Sequence, residues 1–274
     1  MSPFIFLIQV SRPIVWPFLP LVYYLGLHAA HAELTAAAIA QIVLLTFPMN
    51  LIGCGLNDIY DFESDRRCPR RHAIWGAVVR DVDRPLVLWA CLAMMPLLVF
   101  GACITQNWDN IVATVCLLLV AWCYSVPPIR LKERPPLDSV ANGLGFFLIP
   151  FTMGYSLGAD PRGMPLKYYL LALAVCGVHA LASAADYDAD RDAGHRTIAV
   201  VYGPRIAAFL AFITFFMTWL MGDYGSDTVR VYIALCALAA LAAAIVPRNS
   251  VIVVACGVIF VGFLIAATSH ILAS

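Results

Sequence analysis

The chain has 274 residues, 62% of them hydrophobic and only 12% charged, with equal numbers of acidic and basic side chains. Its mean hydropathy of +0.85 excludes an ordinary soluble domain, a disordered chain and a basic nucleic-acid binder, and marks an integral membrane protein. The stretches long enough to span are helices, because backbone groups in lipid must be paired internally, and the alternating pattern of a barrel is absent.

Nine spans are expected, at about 13–31, 35–57, 86–105, 110–127, 139–158, 167–186, 204–222, 229–247 and 250–272. Ser11-Arg12-Pro13 introduces the first, with Pro13, Pro17 and Pro20 bending or delaying its start. Arg12 reads either as a flank anchor or as a group that reaches an anionic substrate. Ala30-His31-Ala32 mimics a signal cleavage site, but the basic region before it is one arginine and prolines interrupt the run, so the stretch reads as a first transmembrane helix.

The second span closes on Asn57-Asp58-Ile59-Tyr60-Asp61-Phe62-Glu63-Ser64-Asp65. On a helix, Asn57, Asp61 and Asp65 drift only about 40° per step and share one stripe, with Asn50 within about 20° of Asn57 deeper in the membrane. Carboxylates this close repel one another unless a hard divalent cation sits among them, and magnesium with a diphosphate partner is the natural candidate. The connection after it, through Arg66-Arg67-Cys68-Pro69-Arg70-Arg71 to about Arg84, is long enough to cap a site. Segments 58–85 and 188–205 are therefore expected to be Asp-rich cap loops on a single membrane domain, 1–274.

After the fourth span comes Tyr124-Ser125-Val126-Pro127-Pro128-Ile129-Arg130-Leu131-Lys132-Glu133-Arg134-Pro135-Pro136. An extended segment points Arg130, Lys132 and Arg134 one way, as either a solvated basic loop or a diphosphate clamp. Asp138 and Asn142 follow at i, i+4 and read as a ligand pair or only as a helix cap. The sixth span closes on Asp186-Tyr187-Asp188-Ala189-Asp190-Arg191-Asp192. His179 and Ser183 fall within about 60° of Asp186, whereas Leu181, Ala174 and Ala185 fall near Asp188, so Asp186 and Asp190 form the polar face. Gly194 turns the chain, Arg196 is placed to reach phosphate, and His195 reads as a loop residue. His179, an ionisable group inside a span, is a functional candidate by default. The last three spans look like wall, and the cysteines like apolar core.

Placing alternate loops on one side puts 14 of the 17 basic residues with the N-terminus and both Asp clusters. The positive-inside rule then makes the N-terminus and the active site cytoplasmic and the C-terminus external.

Asn57-Asp58-x-x-Asp61-x-x-x-Asp65 and Asp186-x-x-x-Asp190, followed by Gly194 and Thr197, resemble the two Asp-rich motifs of the UbiA superfamily of intramembrane prenyltransferases. The segments 57–71 and 124–139 are most similar to its lycopene elongase-like branch, although Cys68-Pro69-Arg70-Arg71 stands where that branch commonly has Asn-Pro-Arg-Lys. The resemblance implies an all-α bundle of nine transmembrane helices around a central chamber. It also implies two magnesium ions bridging an isoprenyl diphosphate. Carried over, Asn57, Asp61, Asp65, Asp186 and Asp190, with Asp58 beside them, hold the metals. Asp61, Asp190, Lys132 and Tyr124 are the catalytic candidates, and Arg12, Asn50, Arg130, Arg196, Asn142 and His179 the candidates for binding the diphosphate. The implied activity is magnesium-dependent ionisation of an isoprenyl diphosphate and prenyl transfer to a lipophilic acceptor within membrane lipid. Aromatic faces such as Tyr23, Tyr24, Phe146, Phe147, Phe151 or Tyr187 would stabilise the cation. Two competing readings are a membrane terpene cyclase that needs no acceptor, and a carboxylate-lined transporter. Carboxylates at helix ends rather than at the midplane disfavour the transporter.

Overall fold

The computed structural model describes residues 2–61 and 76–273, and every regular element among them is helical. In chain order these are α1 (Pro3–Val10), α2 (Phe18–Ala29), α3 (Ala36–Leu44), α4 (Phe47–Tyr60), α5 (Arg84–Ile104), α6 (Trp108–Ser125) and α7 (Leu137–Gly143). There follow α8 (Ile149–Tyr155), α9 (Leu166–Ala185), α10 (Tyr187–Asp192), α11 (Ile198–Tyr202), α12 (Pro204–Met221), α13 (Asp227–Ile245) and α14 (Asn249–Ala273). Starts follow local chemistry: the Thr35 hydroxyl and Asn107 carboxamide accept from Ala38 N and Asn110 N, satisfying amides that have no helical partner.

Seven helices among the described residues are long and apolar enough to cross a membrane, with Ala36–Tyr60 counted as one; an eighth is the pair Pro3–Val10 and Pro13–Ala29, bent by 49°. The protein is a multi-pass membrane protein. The expected fifth span does not form one uninterrupted helix, because a π-helical turn at Leu144–Leu148 separates α7 from α8. Hydropathy does not register a change in hydrogen-bond register of this kind.

The chain divides into two compact units, Met1–Arg130 with Ile149–Gly163, and Leu131–Leu148 with Met164–Ser274. In the first, α2 and α8 touch through Gly26 and Gly154: a Cβ on Gly154 would lie 2.0 Å from Tyr23 O, and one on Gly26 2.1 Å from Phe151 O. Only hydrogen fits there, and small residues at such contacts let membrane helices pack backbone to backbone. Beside this contact the Tyr23 hydroxyl donates to Gln41 Oε1 at 2.6 Å, Gln41 Nε2 donates to Asn110 Oδ1 at 2.7 Å, and Asn110 Nδ2 donates to Met153 O at 2.7 Å. All three side chains are buried, so four helices are joined by a satisfied polar network. In the second unit, α12 and α13 pack through buried Ala207, Ala208, Ala211, Ala237 and Ala240, and the Thr218 hydroxyl ties α12 to Leu170 O of α9 at 2.8 Å.

Candidate functional site

The first Asp motif lies at the end of α4 in the first unit. Asn57 is half-buried, Asp58 is fully buried, and Asp61 follows the last helical residue, 8% exposed. Asp58 faces Arg12, whose Nη2 lies 2.6 Å from its Oδ1. Arg12 reaches it from a break in the chain between α1 and the following Pro13–Val15 turn, with φ of 53°. Buried Ser11 fastens that break: its hydroxyl donates to Ile8 O at 2.7 Å and accepts from the Trp16 indole at 3.0 Å. Arg130, itself at φ 42° just past the Pro127-Pro128 pair, sets its Nη2 3.3 Å from Asp61 Oδ1 and 3.5 Å from Tyr60 O. Tyr124 is half-buried at the end of α6.

Asp58 lies about 100° around the helix from Asn57 and pairs with Arg12. Asn50 is occupied by structure: its amide donates to Leu45 O and Thr46 O, at 3.1 and 2.8 Å, closing the break between α3 and α4. Asp65 lies outside the described residues.

The second motif closes α9 in the second unit. Asp186 is the junction residue between α9 and α10, and Asp190 N donates to Asp186 O at 2.9 Å, so the two share one turn. Both are half-buried, whereas Asp188 and Asp192 are 78% and 59% exposed and pair with Arg191 at 3.3 and 3.1 Å. The Asp192 hydrogen bond, then that of Tyr187, raises the Arg191 pKa above its ordinary value. Past Gly194, at φ 78°, His195 Nδ1 lies 2.9 Å from Glu133 Oε1, and Ile198 N donates to Asp138 Oδ2 at 2.9 Å. These two contacts join the segment after the motif to the segment that carries Lys132, which is 7% exposed. Arg196 points outward and is exposed.

The other Asp138 oxygen accepts from Ser139 N in the first turn of α7 at 2.7 Å, as a residue near a helix start can, so both oxygens hold backbone. Asn142 donates to Asp138 O at 2.9 Å within its own helix. His179 Nδ1 lies 3.1 Å from Ser139 Oγ. Glu133 and Ser139 were not singled out from sequence, since only contacts 62 and 40 residues away give them a role. Among the aromatic candidates, Tyr23 and Phe151 are fully packed into the first unit, and Tyr24 stacks on His28.

Among the described residues no three His, Cys, Asp or Glu side chains gather into a metal site by themselves. The donor chemistry nevertheless fits magnesium, which takes hard oxygen ligands and is usually held by one or two carboxylates together with substrate phosphates and water. Asn57 and Asp61 in the first unit, and Asp186 and Asp190 in the second, each offer oxygen donors of that kind. The sequence from 15 to 250 matches the UbiA prenyltransferase family.

The chain belongs to the UbiA prenyltransferase family.

This UbiA member is similar to a lycopene elongase/hydratase from Corynebacterium glutamicum, 29% identical over 76% of this chain and 72% of that protein. A lycopene elongase/hydratase from Haloarcula japonica is 28% identical over 80% of this chain and 73% of its own. In three dimensions it resembles a UbiA homologue from Archaeoglobus fulgidus whose structure was solved with DMAPP and Mg2+, with TM-score 0.64, 20% identity, and coverage of 96% and 99% of the two chains. These likenesses agree with the motif-level resemblance to the lycopene elongase-like branch.

Proposed function

We propose that this prenyltransferase ionises an isoprenyl diphosphate with magnesium and transfers the prenyl group to an apolar polyene acceptor. The observation that carries the reading is the end of α4, where buried Asp61 lies 3.3 Å from Arg130 Nη2. Such a mixed-charge rim suits a metal-bound diphosphate, which needs carboxylates for the metal and guanidinium groups for the phosphate oxygens. The family match and the DMAPP carried by the Archaeoglobus homologue support the substrate class, and the lycopene elongase/hydratase relatives support the acceptor class.

Bound magnesium supplies charge neutralisation of the leaving pyrophosphate. In this reading Asn57, Asp61, Asp186 and Asp190 orient that charge, and Arg130 and Lys132 take up the negative charge that develops on the bridging oxygen as the C–O bond breaks. Tyr124 borders the same basic segment, and Arg12 fixes the end of α4 through Asp58. Apolar surroundings keep water from the allylic cation until the acceptor's π electrons form the new carbon–carbon bond. The reaction ends with loss of a proton from the acceptor. We place this chemistry at the cytoplasmic rim of a nine-span bundle, as the distribution of basic residues argues.

The test is purified protein with DMAPP, or a longer isoprenyl diphosphate, and lycopene. Prenylated polyene should form with magnesium, stop with EDTA and return on readdition. A cyclic hydrocarbon from the diphosphate alone would instead establish a cyclase, and no pyrophosphate release with any chain length would reject both.

A further inference from the structure

The second unit holds a polar pair that ionisation of the diphosphate leaves unused, half-buried His179 and buried Ser139. His179 sits seven residues before Asp186 on the unbroken helix α9. Seven residues turn a helix back to within about 20° of the starting direction and advance it about 10 Å. His179 therefore stands on the face of Asp186, two turns farther into the apolar part of the span. That is the depth at which the hydrocarbon of a substrate lies when its diphosphate is held at Asp186.

The imidazole is fixed from the neighbouring helix. Ser139 Oγ lies 3.1 Å from His179 Nδ1. The serine is fixed in turn, because buried Asp138 accepts from Ser139 N with one oxygen and from Ile198 N with the other. The hydroxyl thus meets the ring from a residue whose backbone is held by the Asp138 carboxylate. An ionisable side chain in a membrane span is costly, and such groups mark proton or ion chemistry. A hydrogen bond on one ring nitrogen sets which tautomer the other presents.

We propose that His179 is the catalytic base that takes the proton released when the acceptor quenches the allylic cation, with Ser139 as its positioning residue. The proposal rests on the prenyl-transfer reading above. The acceptor's π pair forms the new carbon–carbon bond and leaves a positive charge on the adjacent carbon. With Nδ1–H donating to Ser139 Oγ, the Nε2 lone pair removes a proton from the carbon next to that charge. The C–H electrons become a double bond, and the imidazolium returns its proton to water as pyrophosphate leaves. No oxidant or further reactant is needed. Without the base the carbon–carbon bond reopens, and water captures the allylic cation as a prenyl alcohol.

The experiment compares His179→Asn with the wild type, measuring prenylated polyene and pyrophosphate in the same tube. The asparagine amide keeps a donor near the Nδ1 position for Ser139 but cannot take the proton. The ratio of product to pyrophosphate should fall at least about a hundredfold, the lower end of the range for losing a general base, with prenyl alcohol making up the difference. Ser139→Ala should lower the ratio less, and Ser139→Thr should restore it. A ratio within twofold of the wild type, or a parallel loss of product and pyrophosphate at an unchanged ratio, overturns the proposal. A wild type that releases pyrophosphate yet never prenylates a polyene fails the underlying reading instead.

Discussion

The Arg12–Asp58 pair ties the chain break after α1 to the end of α4, and its removal gives a quantitative test. Breaking a buried ion pair from one side costs about 3–5 kcal/mol. Asp58 is fully buried, but 26% of the Arg12 side chain meets solvent, so screening brings the expected loss nearer about 2–3 kcal/mol. At about 2–4 °C per kcal/mol for a chain of this size, Arg12→Gln or Asp58→Asn should lower the melting temperature in detergent by about 4–12 °C. The double variant should melt close to either single one, a coupling of about 2–3 kcal/mol. Both singles should also lose diphosphate turnover, because the carboxylate at position 61 starts three residues beyond the anchored Asp58. Strictly additive shifts in the double-mutant cycle would refute the pairing as the element that orders this rim.

Other perturbations give sharper contrasts. Asp188→Asn should leave pyrophosphate release within about twofold, whereas Asp186→Asn should reduce it by more than a hundredfold, since only Asp186 lies on the inward face. Gly154→Ala forces a methyl group into the 2.0 Å approach to Tyr23 O and should destabilise the first unit by about 1–3 kcal/mol or more, read as a lower melting temperature. Gln41→Leu strips the Tyr23 hydroxyl and the Asn110 amide of a shared partner and should cost about 1–3 kcal/mol in the same assay, with turnover of the surviving folded protein little changed.

Much of this was legible in the chain because membrane burial imposes strong periodicity. Apolar runs marked most spans, and helical phase alone separated Asp186 and Asp190 from Asp188 and Asp192, which the structure leaves outside with Arg191. What stayed hidden depends on contacts distant in sequence or on local backbone register. The partners of Asp58, Glu133 and Ser139 lie 46, 62 and 40 residues away. Asn50 looked like a deep ligand because it shares a phase with Asn57. The break at Leu45 and Thr46, to whose carbonyls its amide donates, is marked in the sequence by Pro48 in the first turn of α4, inside an otherwise continuous apolar run. The π turn at Leu144–Leu148 changes hydrogen-bond register without any change in hydropathy.

The central proposal is that the acids closing α4 and those closing α9 are each required to ionise the diphosphate. It is tested most directly by measuring magnesium-dependent pyrophosphate release from Asp61→Ala, Asp190→Ala and the double variant, each first shown to be inserted and folded. Each single variant should fall to background, and the double should be no lower. Full release by both single variants would contradict the account.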